Sequence, residues 1–273
     1  MSQYNLNKAR ESEISDLAAW YADTYCPDPQ PVLPQLIAEK LGITYSLGDY
    51  KGSFDGLIEN MGTAFHIYLH STGNDNLYSP RLRFTFGHEL GHYILDDHRN
   101  TLLLPGIPMH GSVTTLDSSI ETEREADLFA ACLLLPEDRI KRDLYRRRFN
   151  FALVDELSRK YNVSLTATLL RLIALGNHPL MMVCSRAGKL KWLRNSHDFP
   201  FQSILTGPAK QIPAATCAGE YFSDGTKYMH KTEKVFAEDW FVLWNSAHRR
   251  RPFFEHCIYQ ESQQQVISVL WEA

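Results

Sequence analysis

Apolar residues recur at helical spacing at Ile14, Leu17, Ala18 and Tyr21, which predicts an amphipathic helix over Glu11 to Tyr25. Pro27-Asp28-Pro29-Gln30-Pro31 breaks that pattern. Val32 to Leu41 reads as a second helix, with Pro34 tolerable in its first turn and Gly42 as its stop. From Ile43 to His70 the pattern becomes strand-like, punctuated by Gly48, Gly52, Gly56 and Gly62, and Ala64 to Leu69 is the clearest strand. Ser79-Pro80 starts a helix that carries Phe84, His88, His92 and Leu95 and ends near Asp96-Asp97. A polar connector follows, broken by Pro105, Gly106, Pro108 and Gly111. Ser118-Ser119-Ile120-Glu121 matches a capping box and opens a helix to about Leu135, and Pro136-Glu137-Asp138 opens the next. Val154 to Leu175 holds two helices broken at Tyr161-Asn162. After Gly176-Asn177-His178-Pro179 short apolar runs take over, among them Met181 to Cys184 and Gln265 to Trp271. The expected fold class is therefore α+β, with a boundary near residue 179 and a small α+β domain after it.

Composition narrows the function classes. The 273 residues are 44% hydrophobic and carry a net charge of -4, so no global electrostatic pull toward nucleic acid is expected. The first residues, MSQYNLNKARESEISD, lack the apolar core of a secretory signal. The longest apolar run, Leu128 to Leu135, falls far short of the ~20 residues that span a bilayer. Cys26, Cys132, Cys184, Cys217 and Cys257 are odd in number and scattered, which fits a reducing cytoplasm better than a disulfide framework.

The chemistry concentrates in His88-Glu89-Leu90-Gly91-His92, an HExxH sequence on an expected helix. Histidines four apart share a helix face, so both imidazoles can reach one cation, and Glu89 can contact a water completing its coordination. Gly87 and Gly91, costly inside a helix by ~1 kcal/mol each relative to Ala, point to close packing there. Zinc needs a third protein ligand, and the chain offers two. His98 lies ten residues after His88, but a metzincin-like turn would need a Gly where Leu95 stands. Glu123 and Asp127, four apart on an apolar stripe with Ala130, Ala131 and Leu134, are expensive to bury unless paired or metal-bound. The residues favour Glu123 as ligand, with Asp127 holding a ligand histidine by its second ring nitrogen.

Two stretches carry a family resemblance: Arg83 to His92, reading RFTFGHELGH, and Glu123 to Pro136, reading EREADLFAACLLLP. They resemble the ImmA/IrrE metallopeptidases, whose patterns are RFTxxHELGH and ExEANxFAxxLLMP, with Asp127 in place of Asn and Leu135 in place of Met. The resemblance implies a zincin-like core over residues 1–136 with Zn2+ on His88, His92 and Glu123, and it makes His98 only a neighbour of the site. It implies a helical, helix-turn-helix-like subdomain over 137–179, and for its helix pair Val154 to Leu172 simple packing is a better reading than DNA contact, because basic residues are few there and the whole chain is acidic. Residues 180–273 have the length and mixed character of the GAF-like sensor domain some members carry, a domain that would take a small-molecule or nucleic-acid signal. The run His248-Arg249-Arg250-Arg251 within it reads as a solvated loop.

The implied activity is zinc-dependent endoproteolysis, with Glu89 as general base and then acid. Arg171, Tyr161 and His178 are the candidates to steady the oxyanion, and Ala64 to Leu69 is the expected edge strand beside which an extended substrate lies. The implied substrate is a helix-turn-helix repressor whose cleavage releases stress, mobile-element or phage-defence genes. The alternative is a non-catalytic zinc-containing regulator that binds a repressor or DNA. Glu89 discriminates between the two, since a structural site needs no acid beside the water position.

Overall fold

The computed structural model describes residues 6–29, 31–73, 75–106, 109–112 and 120–273. By packing these fall into two units, one of residues 1–146 with 154–168 and one of 147–153 with 169–273.

In the first unit, α1 (Lys8–Tyr25) is capped by Asn7, whose Oδ1 accepts from the Ala9 amide at 3.0 Å. Its buried face repeats every fourth residue at Ile14, Ala18 and Ala22. After α2 (Pro34–Lys40) come three strands, β1 (Thr44–Gly48), β2 (Gly56–Asn60) and β3 (Phe65–His70). Helix α3 (Pro80–Ile94) starts at Ser79, whose hydroxyl accepts from the Leu82 amide, with Pro80 in the first turn. It stops at Leu95, which is extended at φ -71° and needs no left-handed turn to redirect the chain. Where a polar connector was expected, α4 (Asp96–Leu102) and the short strand β4 (Met109–Ser112) follow. Of the expected Ser118-Ser119-Ile120-Glu121 start, the two serines lie outside the described residues, and α5 runs over Glu121–Leu134. Helices α6 (Glu137–Leu144), α7 (Phe151–Tyr161) and α8 (Leu165–Leu175) follow, the first residues of α7 and the last of α8 being counted with the second unit, and α7 and α8 break at Tyr161-Asn162 as the pattern predicts.

The sheet order is β1-β3-β2-β4, with β1 parallel to β3 and the other pairs antiparallel. This corrects the edge-strand expectation: β3, which covers Phe65 to Leu69, is hydrogen-bonded on both sides, and among the described residues β1 and β4 are the edges, β4 pairing with β2. Alternation marked β3 as a strand but could not place it in the sheet, because neighbours are set by pairings distant in sequence. Ile58, Ile67, Leu69, Leu82, Phe86, Leu90, Phe129 and Leu133 are buried in one core with Ile14 and Ala18. Arg83 is buried with them and saturated by main-chain carbonyls: it donates to Tyr161 O at 2.8 Å and also to Asn162 O and Val32 O.

The second unit is an antiparallel sheet of order β6-β5-β9-β8-β7, from β5 (Leu180–Arg186), β6 (Lys189–Asn195), β7 (Thr232–Phe236), β8 (Pro252–Gln260) and β9 (Gln265–Glu272). Helices α9 (Cys217–Asp224) and α10 (Ala237–Trp240) belong to it. The two apolar runs noted in the sequence, Met181 to Cys184 and Gln265 to Trp271, lie in the adjacent inner strands β5 and β9, whose residues are nearly all buried. Glu255 of β8 is buried and carries five donors: the amides of Cys217 and Ala218 at the start of α9, Trp240 Nε1, Ser268 Oγ and Cys257 Sγ. One carboxylate thus pins α9, α10 and β9 to β8. Glu255→Ala leaves several buried donors unmatched, each worth about 1–3 kcal/mol, so a stability loss of about 3–5 kcal/mol is expected. Denaturant unfolding followed by tryptophan fluorescence checks this, and a loss below about 1 kcal/mol would mean that water replaces the carboxylate.

Arg249 and Arg250 lie against Glu238, and Arg251 makes a two-toothed pair with Glu272 at 2.6 and 2.8 Å, so the basic run meets acidic side chains. Among the described residues, no helix is long and apolar enough to cross a membrane.

Candidate metal centre

Helix α3 carries His88 and His92 one turn apart, and α5 packs on it closely enough to bring Glu123 alongside. Small residues make that approach possible. A Cβ on Gly91 would meet Ala126 Cα and Phe129 at 3.2 Å, while Gly87 faces Ala130 at ordinary contact distance.

The Nε2 atoms of His88 and His92 are 3.1 Å apart. Glu123 reaches both, with Oε2 at 3.4 Å from His88 Nε2 and Oε1 at 3.3 Å from His92 Nε2. A tetrahedral zinc with bonds of about 2.0–2.1 Å has ligand–ligand edges of about 3.3–3.4 Å, so this set of two nitrogens and a carboxylate is close to the right size. These three residues form a group that could hold a metal ion.

Each member is also held by a further side chain. Asp127 Oδ1 lies 2.8 Å from His88 Nδ1, His98 Nδ1 lies 3.1 Å from His92 Nδ1, and His110 Nε2 lies 2.6 Å from Glu123 Oε1. Although burial opposes ionisation, the hydrogen bond with His110 and the nearby His88 and His92 rings hold the Glu123 carboxyl far below the ordinary carboxylate range. Burial drives His92 down to about 3, which keeps it a neutral imidazole. For His88 burial acts the same way but Asp127 and Glu123 outweigh it, raising the ring to about 10, and a divalent cation entering the set would replace that proton.

Glu89 is different. It is fully buried, and neither carboxylate oxygen makes a well-formed hydrogen bond among the described residues. Burial pushes its carboxyl up to about 7, with the His88 charge and the nearby Ser112 hydroxyl pulling the other way. An unpartnered buried carboxylate is expensive, and a cation or a polarised water next to it is what offsets the cost. The residues present therefore fit a bound zinc. Glu89 is backed by Gly56 at the start of β2: a Cβ there would lie 2.4 Å from Glu89 Oε1 and 2.7 Å from Thr85 Cγ2. Gly56→Ala is accordingly expected to push the Glu89 carboxylate off its position. A displacement of that order costs about 10²-fold in rate, with zinc content unchanged; metal analysis beside a cleavage assay separates the two effects.

Of the oxyanion candidates, Tyr161 commits its hydroxyl to Asp143 Oδ2 at 2.8 Å. Arg171 and His178 belong to the second unit, where the His178 ring stacks near Phe149 at 5.7 Å. What the structure does bring to the metal group is β4: His110, and Ser112 with Oγ 3.1 Å from His88 Nε2. Sequence reading passed over both, since Met109-His110-Gly111-Ser112 is too short to register as a strand and sits among turn-forming residues.

Residues 72–172 match the model of a peptidase family described as the IrrE N-terminal-like domain. Among solved structures the chain is similar to a Mycobacterium tuberculosis transcriptional regulator, with a TM-score of 0.58 over 97% of this chain and 78% of that one. At 11% identity the likeness is one of fold alone. No curated protein matches the chain in sequence.

Proposed function

We propose, from the premise that residues 72–172 form an IrrE N-terminal-like domain, that the chain is a zinc-dependent endopeptidase acting on a helix-turn-helix repressor. The observation that carries the reading is Glu89, a buried carboxylate whose oxygens meet no well-formed hydrogen bond among the described residues, beside a ligand-sized group of His88, His92 and Glu123. A zinc-stabilised module that binds without cutting leaves Glu89 unexplained, because a closed structural site has no use for it.

When bound, the zinc would act as a Lewis acid that polarises a peptide carbonyl and acidifies water. Glu89 takes the proton of the attacking water and delivers it to the leaving amine. The free edge of β4 offers main-chain groups to an extended substrate strand, in place of the expected β3. His110, on that strand and partly exposed, is our candidate to steady the substrate oxygen through the ring nitrogen that Glu123 does not hold, beside the sequence candidates Arg171, Tyr161 and His178.

Helix α8 argues against DNA reading by this chain. Its one basic residue, Arg171, is buried, so the helix presents no exposed cation to phosphate. The antiparallel sheet of residues 180–273 is in keeping with a separate GAF-like regulatory domain, and a small-molecule or nucleic-acid signal is our proposal for what it would take. The test is to incubate the purified chain, with zinc or with chelator, with helix-turn-helix repressors, any encoded by adjacent genes first, and to look for fragments. Discrete zinc-dependent fragments support the proposal, and an intact partner that still binds would favour the non-cutting regulator.

A further inference from the structure

The far sides of the two histidines are built differently. His88 rests its Nδ1 on a carboxylate, Asp127 Oδ1, at 2.8 Å. His92 rests its Nδ1 on a second imidazole, His98 Nδ1, at 3.1 Å. The other nitrogen of His98 lies 2.9 Å from Glu125 Oε2. Glu125 in turn takes Arg10 of α1 in a two-toothed pair, Nε to Oε1 at 3.0 Å and Nη2 to Oε2 at 2.8 Å. His98 and Glu125 are both buried, so water does not readily stand in for either partner.

Donor and acceptor roles along this chain have one consistent assignment for neutral rings. A carboxylate clamped by a guanidinium only accepts, so His98 Nε2 carries a hydrogen. A neutral His98 then has a bare Nδ1, which accepts from His92 Nδ1–H. That leaves His92 Nε2 with its lone pair on the side of His88 and Glu123. Exchanging the tautomer of either ring alone sets two N–H groups, or two lone pairs, against each other, at the cost of a buried unmatched polar contact.

We propose that Arg10, Glu125 and His98 form a positioning chain that fixes His92 as its Nδ1–H tautomer, making Nε2 the metal-donating atom, with His98 a positioning residue and not a ligand. This rests on the zinc-site reading above. Of the residues involved, the sequence singled out only His98, and then as a rival ligand; the structure turns its nitrogens toward His92 Nδ1 and Glu125.

The test is a zinc titration of the full chain against a chromophoric chelator, with the melting temperature of each zinc-free protein measured alongside. His98→Ala should still take one zinc per chain at saturation but bind it about 10–100-fold more weakly, the usual cost of losing an outer hydrogen bond to a ligand. His98→Asn, whose Oδ1 can accept where Nδ1 did, should recover most of that affinity. A merely structural role would weaken both variants alike, in step with their melting temperatures. Parent protein that takes up no zinc would remove the zinc-site reading itself. Parent that binds zinc no more tightly than His98→Ala, a His98→Ala protein that loses its zinc stoichiometry, or equal losses in the Ala and Asn variants would each overturn the positioning role. Should His98→Ala not fold, nitrogen NMR of the zinc-free parent decides: a hydrogen on His92 Nδ1 supports the assignment, and one on Nε2 overturns it.

Discussion

Glu89→Gln is expected to lose cleavage by about 10⁴-fold or more while keeping one zinc per chain. General-base catalysis contributes about 10²–10⁴ in rate, and here the same group also returns the proton, which places the loss at the upper end. Little structural leaves with the charge, because neither oxygen of Glu89 makes a well-formed hydrogen bond among the described residues. Gln has the same size, so the contacts with Gly56 and Thr85 survive. At pH 8 the substitution removes a buried, unmatched charge, so the zinc-free melting temperature should equal or exceed that of the parent. Co-expression of each form with a helix-turn-helix repressor that the parent cuts, with fragments probed on gels and zinc measured in the purified chain, gives the answer. A Gln variant that cuts as well as the parent would show that the HExxH helix is not an active site.

The parts of this site that were legible in the sequence are those set by local spacing. His88 and His92 one turn apart, the Ser79-Pro80 start and the stripe that places Glu123 and Asp127 on one face of α5 follow from helix geometry alone. What stayed hidden depends on contacts distant in the chain. Arg10 lies 115 positions before Glu125, and nothing in the pattern of α1 says which acid its guanidinium meets. His110 comes from a four-residue strand, too short for alternation to mark. The place of β3 inside the sheet is decided by what pairs with each of its edges, and its own residues do not encode that. The packing units show the same limit. Gly176 to Pro179 is strong local punctuation, yet residues 147–153 and 169–175 pack with the C-terminal sheet, because membership follows the core that a side chain joins.

His88→Ala is expected to abolish zinc binding, and with it the stabilisation that zinc confers. A metal held at 1,000 times its dissociation constant stabilises the folded form by about 4 kcal/mol, and chelator should remove that increment from the parent protein. In His88→Ala the increment should be absent, because two donors, His92 Nε2 and Glu123, remain of a set whose members lie within 3.1–3.4 Å of each other. The zinc-free fold should survive the change. The side chain of the bereft Asp127 is 27% exposed, so water can replace the ring it held, unlike the fully enclosed Glu89. Glu123→Ala should behave in the same way for zinc, whereas His98→Ala should reach the parent's full increment once zinc is raised to match its weaker affinity. Melting curves over a zinc series, with metal analysis of dialysed protein, make the comparison. Zinc retained in His88→Ala but lost in His98→Ala would place the third imidazole in the coordination sphere and undo the assignment of Glu123.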